Sequence, residues 1–177
     1  MRAVCTCTLQ DFKFVKRFVQ FAASVLSQSP EKHMRKLLAG TAAIHEELSW
    51  FEAKGLERGL ALEGAAPQKT CLAYLCFLDR VRLTPYATQA AVFWAIEKVY
   101  NDAWAAVTSG CVPEYQEYAL RWGSPEFSAY VSELQQQADE GLEGLDDGRQ
   151  QEVISLVEEM LRLEVRFWDM AMAAGDS

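Results

Sequence analysis

The sequence predicts an all-α protein of about seven helices, read from periodicity and helix punctuation. Three observations carry that prediction. Apolar residues recur three and four apart over long stretches, the spacing that lines one face of a helix. Ser29-Pro30, Thr84-Pro85 and Ser124-Pro125 repeat a helix-start signal, with proline where its missing N–H does no harm. No run of alternating β-branched residues is long enough for a strand.

After an irregular stretch over residues 1–8, the first helix is expected from about Asp11 to Ser27, burying Phe12, Val15, Phe18, Val19, Ala22 and Val25. Ser29 as N-cap, Pro30 at the first helical position and Glu31 at the positive end of the dipole open a second helix. It should stop at Gly55. Gly55 to Gln68 holds three glycines and Pro67 and reads as a loop. A short third helix covers about Lys69 to Val81. Thr84-Pro85 opens a fourth, which ends near Val107 ahead of Ser109-Gly110. Pro113 starts a fifth that closes at Trp122-Gly123. Ser124-Pro125-Glu126 starts a sixth, to about Gly141, and an acidic turn to Gly148 leads into the last, Arg149 to Ala173. No repeat, low-complexity segment or linker interrupts the chain, so residues 1–177 read as one domain.

A chain of 177 residues, half of them apolar, has enough interior for a real core. A net charge of −8 and a pI of about 4.8 argue against nucleic acid, which needs a basic face. The longest apolar run, Ala87 to Ile96, is broken by Thr88 and Gln89 and is too short for a bilayer, so no membrane partner is expected. Five cysteines and no secretory signal point to reduced thiols in the cytoplasm. Cys5-Thr-Cys7 has no second pair to complete a metal site.

Four acids stand where the helical stripes are oily. Asp11 is followed by Phe14 and Val15, Glu47 lies among Ile44, Trp50 and Phe51, Glu97 among Phe93, Trp94 and Tyr100, and Glu164 among Met160, Phe167 and Trp168. A core-facing carboxylate costs several kcal/mol unless paired or neutralised, so four such acids suggest an acid-lined aromatic pocket with shifted pKa values. A di-iron bundle needs Glu-x-x-His pairs, but Pro30 and Ala42 stand three residues before His33 and His45. No phosphate loop or Ser-His-Asp set is present, and no metal or other cofactor is expected. Aromatic walls stack on flat heterocycles, and a carboxylate matches the amidine edge of an aminopyrimidine.

Leu9-Gln10-Asp11-Phe12, the run Ala91 to Glu97, Arg121-Trp122-Gly123 and Leu163 to Met170 resemble the TenA (thiaminase II-like) family over nearly the whole chain. The resemblance is greatest to the plant-type, seed-maturation-like branch that lacks the active-site cysteine, since Val92 stands near that position. It implies a haem-oxygenase-like helical bundle, here apparently without the family's first helix, and a homo-oligomer, dimer or tetramer. It also implies salvage of the thiamin pyrimidine: deformylation of N-formyl-aminomethylpyrimidine, and replacement of the amine of aminomethylpyrimidine by hydroxyl. Asp11 would anchor the aminopyrimidine, with Phe14, Glu47, Tyr74, Phe93 and Trp122 completing the substrate site. Glu164 would activate water, assisted by Glu97.

Plainer readings stand beside these. Asp11 also fits a helix N-cap. Glu164 and Glu97 fit buried ion pairs, Lys98 being a candidate partner for Glu97. Glu47 fits a structural role better than a catalytic one, and Tyr74 and Trp122 fit simple core aromatics. The whole chain also fits an inactive, pyrimidine-binding truncated paralogue.

Overall fold

The computed structural model describes residues 2–173, with side chains from residue 6 onward. These residues form seven α-helices and no strand: α1 Arg2–Gln28, α2 Glu31–Glu57, α3 Lys69–Val81, α4 Tyr86–Val107, α5 Pro113–Trp122, α6 Pro125–Leu142 and α7 Asp147–Ala173. The expected elements are all present, and most ends agree within two or three residues. The main difference is α1. It opens at Arg2, so the stretch expected to be irregular is already helix, and Asp11 lies well inside a 27-residue helix. Asp11 is therefore not an N-cap, since an N-cap flanks the first turn. The side chain of Cys5 lies outside the described residues.

The three start signals also resolve differently. Ser124 caps α6 as expected, its Oγ accepting from the Phe127 N–H at 3.1 Å. At the other two, proline itself takes the N-cap position with extended ψ values of 146° and 158°. Ser29 and Thr84 then fall one residue too early to reach the helix amides. Their hydroxyls donate backward instead, to the Leu26 carbonyl at 2.8 Å and the Val81 carbonyl at 2.6 Å, finishing the preceding helices. Gly55 does not end α2, which runs on to Glu57; the reversal falls at Gly59, whose φ of +65° suits glycine.

The chain divides into two compact units: residues 1–84 with 162–177, and residues 85–161. The first packs α1 against α2 and α3, with Phe12, Phe18, Phe21, Phe51 and Leu78 in its core and Phe167 added from α7. The second packs α4 against α5 and α6, with Val92, Ile96, Trp104, Tyr118 and Leu134 buried. In it the Asn101 side chain donates to the Trp122 carbonyl at 2.7 Å and accepts from Ser128 at 3.0 Å, tying α4 to the end of α5 and to α6.

Gly123 sits at that junction because nothing larger fits. A Cβ there would meet the Ala119 carbonyl oxygen at 2.7 Å and the Ala105 amide nitrogen at 2.8 Å, both backbone atoms. Gly123→Ala is expected to destabilise the fold by about 1–3 kcal/mol through overpacking, seen as a lower urea midpoint.

Candidate active site

In the first unit α1, α2, α3 and α7 each contribute an acid or a donor to one acidic, aromatic-walled site. α1 places Asp11 in the interior, 6% exposed. Cys7, one helical turn earlier on the same face, donates its thiol hydrogen to Asp11 Oδ2 at 3.0 Å. Burial, the largest influence, pushes the Asp11 carboxyl up from 3.8 to about 7. The Cys7 hydrogen bond pulls it back, and the charges of Glu164 and Glu47 push it up further. Asp11 is thus divided between its neutral and ionised forms near neutral pH.

Gln10, beside Asp11 in sequence, points elsewhere and does a different job. Its buried Oε1 accepts from the backbone N–H of Gln68 at 2.8 Å, and Gln68 is the N-cap of α3. The Cys71 thiol returns a contact to the Gln10 carbonyl at 3.7 Å, and Arg17 of α1 pairs with Asp79 of α3. These bonds fix α3, and hence Tyr74, against α1.

Tyr74 is 1% exposed and its Oη donates to Glu164 Oε2 at 2.9 Å. Trp168, one turn beyond Glu164 on α7, donates its indole N–H to Glu164 Oε1, also at 2.9 Å. Glu164 is half-buried, and desolvation raises its pKa above the ordinary 4.5, while the hydrogen bonds from Tyr74 and Trp168 lower it. Both donors are neutral, so the ion-pair reading of Glu164 does not hold. Burial first, and then the Glu164 charge, push the Tyr74 phenol well above 10.0, so it remains a donor.

Phe14 provides the wall. Its ring centroid lies 4.8 Å from that of Tyr74 and 6.0 Å from that of Phe167, in tilted and edge-on arrangements. Glu47 is half-buried on α2, close enough for its charge to act on Asp11. The structure therefore brings Asp11, Phe14, Glu47, Tyr74 and Glu164 together in one unit. Glu97, Phe93 and Trp122 lie in the second unit, 5%, 1% and 2% exposed. There Lys98 pairs with Asp102 on the exposed side of α4, not with Glu97. Trp122 packs edge-on against Tyr100 and tilted against Tyr118, with centroids 5.4 and 5.7 Å away.

Three partners were missed by sequence reasoning. Cys7 and Trp168 stand four residues from Asp11 and Glu164, a spacing that predicts contact on a helix. Placing the first helix start at Asp11 left Cys7 outside it. Cys71 is the third, its thiol pushed up to about 12 by burial and by Asp11. Among the described residues no group of three or more His, Cys, Asp or Glu could hold a metal ion.

Tyr74→Phe removes one of the two bonds that favour ionised Glu164. If Glu164 serves as a base, the acidic limb of the pH–rate profile should move to higher pH, with kcat at the plateau reduced. A profile that keeps its wild-type midpoint would detach Tyr74 from the titration.

The model of the TENA/THI-4/PQQC family matches residues 8–174. The chain is 32% identical over 173 residues to the "Probable bifunctional TENA-E protein" of Glycine max, spanning 92% of this chain and 75% of that one. The structure of a TenA homologue from Pyrococcus furiosus superposes with a TM-score of 0.90 at 24% identity, over 97% of this chain and 84% of that one. A TenA family transcription regulator from Silicibacter gives 0.87 at 19% identity, over 96% and 81%. The chain belongs to the TENA/THI-4/PQQC family and has the helical fold of TenA structures.

Proposed function

We propose that this member of the TENA/THI-4/PQQC family is a C–N hydrolase that salvages the pyrimidine of thiamin, acting on N-formyl-aminomethylpyrimidine and aminomethylpyrimidine. The observation that carries the reading is the pair of unlike carboxyls in the first unit. Asp11 is buried and poised near neutrality, while Glu164 is half-buried and clasped by two neutral donors. Two acids in different environments are what divided binding and proton-transfer roles require.

In this reading Asp11 grips the amidine edge of the aminopyrimidine and Phe14 stacks on its ring. Glu164 takes a proton from water as the water oxygen bonds to carbon and the C–N bond breaks, then returns that proton to the departing nitrogen. With the formyl compound the water attacks the formyl carbon, so formate and the free amine leave. With aminomethylpyrimidine the water oxygen replaces nitrogen at the methylene carbon, and ammonia leaves. Cys7 and Cys71 are held as thiols by burial and by the charge of Asp11, which disfavours either as a thiolate nucleophile. Ile154, Leu161, Val165 and Met172 leave apolar surface exposed along α7, which favours a homo-oligomer.

The test is mass spectrometry of the purified chain incubated with each compound. Formation of the free amine from the first and hydroxymethylpyrimidine from the second is the expected result. No product from a folded sample would overturn the hydrolase and leave a pyrimidine-binding protein. Glu97→Gln tests the second unit: a fall in kcat without a change in KM would add Glu97 to the proton-handling set.

A further inference from the structure

We propose that Cys7 is a positioning residue whose thiol decides which oxygen of Asp11 carries the proton, and so the direction in which a donor–acceptor edge docks on that carboxyl. The contact is specific. Cys7 is 4% exposed, lies one turn from Asp11, and directs Sγ at Oδ2 at 3.0 Å. Burial and the neighbouring Asp11 charge raise its pKa well above 9.0, so it stays S–H, and the contact with Oδ2 is one in which the thiol donates. Oδ2 is therefore an acceptor, and when Asp11 is protonated its hydrogen belongs on Oδ1.

The consequence is an ordered edge. Protonated Asp11 offers a donor at Oδ1 and an acceptor at Oδ2. The matching edge of a ligand has its acceptor ring nitrogen opposite Oδ1 and its donor amino group opposite Oδ2. Without the thiol the carboxyl could turn over, and the two orientations would be close in energy. The groups around Asp11 are otherwise ill suited to this task. Glu47 from α2 and Glu164 from α7 oppose its ionisation, whereas Cys7 favours it. Cys71 on α3 gives its hydrogen bond to the Gln10 carbonyl. The cations Arg58 and Lys13 act on Cys7 and Cys71 respectively.

The docking half of this inference rests on the aminopyrimidine reading, whereas the proton half does not, and the experiment separates them. Aspartate carboxyls are labelled with carbon-13 in the full chain, the Asp11 signal is assigned with Asp11→Asn, and its pH titration is followed by NMR without ligand. Cys7→Ala should raise the Asp11 midpoint by about 0.5 to 1 pH unit, the worth of one lost hydrogen bond. Cys7→Ser, which restores a donor, should return it towards wild type. Cys71→Ala, which deletes a buried thiol not bonded to Asp11, should leave it within about 0.3 pH unit, since no hydrogen bond to the carboxyl is lost. An unmoved midpoint in Cys7→Ala, no rescue by serine, or an equal shift in Cys71→Ala would overturn the role. Aminomethylpyrimidine affinity is then measured by calorimetry. A loss of about 3- to 10-fold in Cys7→Ala, recovered in Cys7→Ser, supports the docking order. Unchanged affinity despite a shifted titration overturns it. If wild type binds no aminomethylpyrimidine while the titration shifts as expected, the proton placement stands and the aminopyrimidine reading falls.

Discussion

Glu164→Gln should abolish turnover of both pyrimidines, with kcat falling at least about 100-fold, the lower end of what a positioned general base contributes. The substitution keeps the size of the side chain and its place on α7, so loss of activity cannot be charged to a cavity. It need not disturb the two donors badly either. The Trp168 indole can only donate, so the new amide must turn its oxygen there. That leaves its NH2 group facing Tyr74, whose hydroxyl can rotate from donating to accepting. The helical circular dichroism signal and the unfolding midpoint should therefore stay close to wild type while product formation disappears. Undiminished turnover in a well-folded Glu164→Gln protein would remove Glu164 from the mechanism.

Asp11→Asn should make the protein more stable at pH 8 while keeping a donor–acceptor edge, since the amide offers an N–H and a C=O where the protonated carboxyl offers an O–H and a C=O. In the folded chain burial raises the Asp11 carboxyl from 3.8 to about 7. An acid with a raised folded-state value contributes stability that is complete below the unfolded value and lost as pH rises through the folded one. The wild type should thus lose stability between about pH 4 and pH 7 on account of this group and level off above, for a total on the order of 4 kcal/mol. Asparagine does not titrate, so that slope should be missing from urea denaturation of Asp11→Asn at pH 5 and pH 8. Parallel pH dependence in the two proteins would mean that Asp11 is not raised in the folded state. A carboxyl that weakens the fold where it is ionised is more readily explained by binding than by structure.

Helix positions were legible in the sequence because the local signals and the packed faces agree. Apolar spacing along α3, α4 and α5 gave ends within a residue or two of those observed. The signals that misled were those in which one motif fits two structures. Ser29-Pro30 and Thr84-Pro85 read as N-caps, but proline at the cap itself sends the hydroxyl back to the previous helix. Asp11 likewise suits a helix start by composition, and that reading hid the two turns of α1 before it, and Cys7 with them. In the site, periodicity marked Asp11, Glu47 and Glu164 as inward acids, and the family resemblance drew attention to Phe14 and Tyr74. The contact of Tyr74 with Glu164 joins residues 90 positions apart, and no local pattern encodes it. The contacts of Cys7 and Trp168 are local: Cys7 was hidden by the late start given to α1, whereas Trp168 was already placed beside Glu164 and only its hydrogen bond went unread.

The first unit is assembled from both ends of the described chain, residues 2–84 and 162–173, with the second unit made between them. During synthesis, at about 5–20 residues per second, Asp11, Phe14 and Tyr74 are all translated before Glu164. On the function proposed above, the residues that would grip the ligand are made before the residue that would handle protons, and hydrolysis would wait on the synthesis of α7.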